Sequence, residues 1–153
     1  MEKAQLQSWQ RSALNITTTI AQVLIRICGP IVLVLGVLFW TGNALTLLPV
    51  HMLAGIVLVF ALWILAILAA ISGVQRGLVA LAILWGLIVP ILGITQNQLV
   101  PGALHWVIQV LHLLIGIAAM GLGNGLARRI TQTQMPAQQA HDSSLVQSSR
   151  LPR

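Results

Sequence analysis

Four apolar runs dominate this sequence, and each is long enough to cross a lipid bilayer. They lie at Ile20–Trp40, Val50–Ile71, Leu78–Ile94 and Ala103–Leu126. A bilayer core takes about 20 residues of helix. Only 7% of the 153 residues are charged and 58% are hydrophobic, whereas soluble domains carry about 25% charge. The pattern predicts an all-α integral membrane protein. Its segments are residues 1–19, a transmembrane domain over 20–130, and a polar tail over 131–153.

The few charges are placed unevenly. Lys3, Arg11 and Arg26 precede or begin the first run, Arg76 lies between the second and third, and Arg128 and Arg129 follow the fourth. Residues 41–49 and 95–102 carry none. All Lys and Arg therefore fall on one side of the membrane. The positive-inside rule predicts that this side, with both termini, is cytoplasmic, in a multi-pass protein of the cell's inner (plasma) membrane. The net charge of +6 reads as a topology signal, not as a nucleic-acid surface.

Short connections between four such helices predict an up-down bundle. Pro49 and Pro101 stand just before the second and fourth runs, where a first-turn proline costs little. Leu6, Trp9, Ala13 and Ile16 recur at roughly helical spacing, so residues 1–19 read as an amphipathic interfacial segment or as an extension of the first helix. The first run is too long for a signal peptide and no A-x-A-like site follows it. The tail, rich in Gln, Ser and Pro, is expected to be disordered. Glycine and alanine recur along the runs, as at Gly29, Gly36, Gly86, Gly93 and Ala119. They read mostly as helix-packing positions, in number enough to suggest a homo-oligomer.

Two short patterns hint at a two-hairpin internal repeat. Thr-x-Asn-x-Leu followed by five residues and His occurs at 41–51 and at 95–105, pairing His51 with His105. His-x-Leu-x-Gly-Ile occurs at 51–56 and 112–117, pairing His51 with His112. Sequence alone does not choose between these alignments. Either one relates the hairpins by an axis along the membrane normal.

Ionisable residues inside a membrane mark function by default. His105 and His112 are seven residues apart, two turns along one face and about 10 Å apart along the axis. Gln109 and Gly116 continue that stripe, and Gly55 follows His51 by one turn. Two neutral imidazoles from facing helices in an apolar bundle suit the axial positions of haem b, and a glycine one turn after each ligand clears space for the macrocycle. That spacing favours His51 and His112 as the pair, with Gly55 and Gly116 beside the ring and His105 and Gln109 as supporting groups. Depth argues for His51 with His105, because these stand two and four residues after Pro49 and Pro101, whereas His112 stands eleven after Pro101.

With its four spans, its histidines on the second and fourth, and the spacings His51–Gly55 and His112–Gly116, the region 20–126 resembles the small four-helix membrane cytochromes b of bacteria. The resemblance implies haem binding and electron transfer. Two departures stand out. No histidine lies in the inner half, and the outer connections lack the Arg or Lys that often hold haem propionates, leaving Thr41, Asn43, Gln96, Asn97 and Gln98. The expected roles are electron exchange with a lipid quinone or an outer-side partner, or redox or gas sensing. The alternatives are copper at His51, His105 and His112 with Met52, and a non-catalytic oligomeric scaffold or small transporter subunit. The single cysteine, Cys28, excludes an internal disulfide. The only acids, Glu2 and Asp142, fall outside the spans, which argues against triad hydrolysis and against proton coupling through a membrane carboxylate.

Overall fold

A computed structural model describes residues 2–149, with side chains described for Glu2 and for residues 5–134. Its elements are α1 (Glu2–Trp40), a 3₁₀ turn (Leu45–Leu47), α2 (Leu48–Ile71), α3 (Arg76–Thr95) and α4 (His105–Ser149). Each helix contains a stretch long and apolar enough to span a membrane. The chain is a multi-pass membrane protein by that measure.

The helix boundaries follow from local chemistry. At the end of α2, the Gly73 N–H donates to the Ala70 carbonyl at 3.2 Å, and the Val74 N–H donates to the Ala69 carbonyl at 2.9 Å. This is the Schellman closure, which needs a left-handed residue after the cap; Gly73 supplies it at φ 77°. Pro49 occupies the first turn of α2, as its missing N–H allows. Pro101 does not play that part for α4. Val100 at φ 47° and Gly102 at φ 94° fold the chain through a further turn, so α4 begins at His105, two residues after the predicted Ala103.

At the two ends of the chain, the structure takes one of the two readings offered for the first segment and departs from the reading of the tail. α1 runs without a break from Glu2 to Trp40, so 2–19 are an extension of the first helix. α4 continues to Ser149, so 131–149 are helical where composition suggested disorder; 150–153 lie outside the described residues. No glycine follows Gly125, and the Gln and Ala of this stretch are fair helix formers.

Side-chain register shows that neighbouring helices run antiparallel. Along the α1–α4 seam, Met120 fills the space a Cβ on Gly29 would need, and Ile25 does the same at Gly123. The Trp63 indole lies over Gly86 and donates to the Ile83 carbonyl at 3.3 Å, locking α2 to α3. Trp85 donates to the Ile115 carbonyl at 3.0 Å, joining α3 to α4. The α2 helix touches all three others.

The packed core is not centred. Ile25, Leu62, Leu65, Leu126 and Ile130 are fully buried, toward the end that carries the start of α1 and the α2–α3 turn. From the level of Leu58 and Ala119 toward the opposite loops, Leu35 alone among the described residues is buried. The bundle is tight at one end and loosely filled at the other.

Candidate metal-binding histidine pair

The loosely filled end holds His51, His105 and His112. His51 lies in the first turn of α2 and His112 two turns into α4. Their ring centroids are 6.4 Å apart, with the planes tilted by 48°. The depth difference expected from sequence disappears because α4 starts later than the apolar run and the helices are offset along the bundle. Phe39 meets His51 edge-on, with centroids 5.4 Å apart.

Each imidazole faces a glycine of the preceding helix. A Cβ placed on Gly36 of α1 would stand 3.6 Å from His51 Cε1. A Cβ placed on Gly93 of α3 would stand 3.2 Å from His112 Cε1. The two hairpins thus repeat one arrangement, a glycine on the first helix fronting a histidine on the second. Gly36 and Gly93 read as packing positions in the sequence, and their partnership with the histidines shows only when α1 lies on α2 and α3 on α4.

One nitrogen of each imidazole is left open, while the His51 ring also has a backbone partner in Val32. Nδ1 of His51 and Nδ1 of His112 are both buried without a hydrogen-bond partner. A buried polar nitrogen left unpaired costs about 1–3 kcal/mol, so two at one place suggest a group that takes their lone pairs or protons. Gly55 and Gly116, one turn beyond each histidine, have nothing within 4 Å of an added Cβ.

His105 stands apart from the pair. Its Nδ1 lies 3.3 Å from the Leu99 carbonyl, which ties the start of α4 to the preceding loop. Gln109 is half-buried one turn before His112. Met52 is 51% exposed and does not turn inward with His51. Among the described residues, no three His, Cys, Asp or Glu side chains are grouped to hold a metal ion. The described protein donors in this part of the bundle are therefore two imidazoles.

A second polar contact lies at the packed end. Arg26 Nε donates to Asn124 Oδ1 at 3.1 Å, Gln22 Nε2 donates to the same oxygen at 3.4 Å, and Asn124 Nδ2 donates to the Met120 carbonyl at 3.0 Å. In the sequence Arg26 counts only among the charges at the start of the first run, and Asn124 has no part. A single amide at the end of an apolar run is a weak signal until its partner helix is known.

Comparisons with protein-family models, with curated proteins and with solved structures found no match to this chain.

Proposed function

We propose that the chain is a membrane haem-b protein that holds iron between His51 and His112 and exchanges electrons near the membrane face opposite its termini. The observation that carries this reading is the facing pair itself, two imidazoles 6.4 Å apart from separate hairpins, each with an unpartnered buried nitrogen. A metal atom about 2 Å from a nitrogen of each ring accords with that separation.

The donor count favours haem over a bare ion. Structural zinc takes four protein ligands, and catalytic zinc three and a water; the described residues here offer two. Haem brings its own four equatorial nitrogens and asks the protein only for axial ligands. The copper reading, which needed His105 and Met52, is weakened because one bonds to a loop and the other faces outward. The open space beside Gly55 and Gly116 supports a planar group there. When bound, haem supplies one-electron chemistry at iron. The chain's own residues orient the imidazoles through Gly36, Gly93 and Phe39 and surround them with apolar side chains. A lipid quinone, reaching the site through the bilayer, and an outer-side acceptor are the partners this placement suits. Gas binding or redox sensing would use the same pair.

The termini are assigned to the cytoplasm on the placement of charge. Arg11, Arg76, Arg128 and Arg129 belong to the end of the bundle that carries α1's start and the α2–α3 turn, and the opposite connections have no charge. The positive-inside rule then orients the protein with the histidines toward the outer face.

The test is an absorption spectrum of the purified protein, oxidised and reduced. A Soret band with split reduced bands is expected, and His51→Ala or His112→Ala abolishes or shifts it, while His105→Ala leaves the band in place. A colourless preparation that gains no Soret band on haem titration overturns the reading.

A further inference from the structure

The α1–α4 seam carries a guanidinium held by a hydrogen bond, and its depth and neighbours point to a ligand. Arg26 is 14 residues from Trp40, at the other end of α1, which is about 21 Å along a helix. In a hydrocarbon core about 30 Å thick, its Cα lies short of the far boundary. Side chains of a helix tilt toward its N-terminus, which for α1 is toward that boundary. The hydrogen bond to Asn124 places the guanidinium beside a residue 19 positions into α4 from His105, about 28 Å from the histidine end. Two independent measures along two helices therefore set the Arg26 head near the far hydrocarbon boundary, within a side chain's reach of the lipid phosphates.

The contact also determines which donors remain. Arg26 Nε is taken by Asn124 Oδ1, so the end-on edge formed by the two terminal NH₂ groups is clear of that bond on a residue that is exposed. Arg128 stands four residues after Asn124 and is likewise exposed, one turn farther on the same face of α4. No carboxylate of the chain is nearby in sequence: Glu2 is 24 residues before Arg26, and Asp142 is 14 after Arg128. Planar forks of this kind match phosphate oxygens in a two-point contact.

We infer that the Arg26–Asn124 contact, with Arg128 beside it, is a binding site for the phosphate of an anionic phospholipid of the leaflet at the terminus end of the bundle. Asn124 is the positioning residue that holds the fork, and Gln22 shares its acceptor oxygen. The bound lipid lies along the α1–α4 groove with its acyl chains on exposed Pro30 and Val37 of α1, which share the face of Arg26.

Native mass spectrometry of the full chain in detergent tests this, with added phosphatidylglycerol, phosphatidylcholine or inorganic phosphate. Phosphatidylglycerol adducts are expected to survive at energies that strip phosphatidylcholine. Arg26→Gln and Arg128→Gln each weaken phosphatidylglycerol binding about fivefold, as expected for about 1 kcal/mol per basic residue at an anionic surface. Arg11→Gln, 15 residues before Arg26, leaves it unchanged. Arg128→Gln removes an exposed side chain and keeps the test valid should Arg26→Gln unfold the seam. Equal retention of both lipids, equal loss with Arg11→Gln, or displacement of phosphatidylglycerol by millimolar inorganic phosphate overturns the assignment.

Discussion

Gly55 and Gly116 are the positions at which the proposed haem slot differs from ordinary packing. Among the described residues, nothing lies within 4 Å of a Cβ at either position, so an added methyl meets no neighbouring helix. Gly55→Ala and Gly116→Ala are expected to leave the melting temperature within a few degrees of the parent and to lower haem content, read as the ratio of Soret to protein absorbance. Full haem content in both variants would remove these glycines from the site. The neighbouring positions behave differently. At Gly93 an added methyl stands 3.2 Å from His112, tighter than at Gly36, where it stands 3.6 Å from His51. Gly93→Ala is expected to perturb the iron spectrum more than Gly36→Ala. The histidines and the two following glycines were legible in the sequence by spacing. Their pairing was not, since two registers, His51 with His105 and His51 with His112, matched equally short patterns.

At the scale of the helices, close approach rests on a few small residues that meet large ones. Gly86 is buried beneath the Trp63 indole, whose ring occupies the place of a Cβ. A rigid ring cannot withdraw as a methionine or isoleucine tip can, and overpacking of this kind costs about 1–3 kcal/mol. Gly86→Ala should lose about that much stability in a detergent-unfolding titration. Gly121→Ala, with nothing within 4 Å, should lose none. Equal stability of the two variants would contradict the α2–α3 packing. Apolar run length foretold the helices, but not their true extents. The α1 extension and the α4 continuation to Ser149 lie in polar sequence, where hydropathy has no signal and helix propensity is only a weak guide.

For the whole molecule, the asymmetry of charge and the asymmetry of packing coincide. The tight core lies at the arginine-bearing end, and His51, His105 and His112 lie at the uncharged end. In a Cys28→Ser background, Asn97→Cys is expected to react with a membrane-impermeant maleimide on intact cells. Gln75→Cys should react only after permeabilisation. The reverse pattern would invert the orientation and place the histidine pair at the inner face. The number of spans, their order and the side on which charge collects were determined by the sequence alone, because transfer of a segment into hydrocarbon depends on its own side chains. Which histidines meet, which glycines front them and where Arg26 finds its partner were decided by the tertiary structure. Those facts depend on the offset of one helix along another, and lipid-facing sequence, apolar on every side, carries almost no record of that offset.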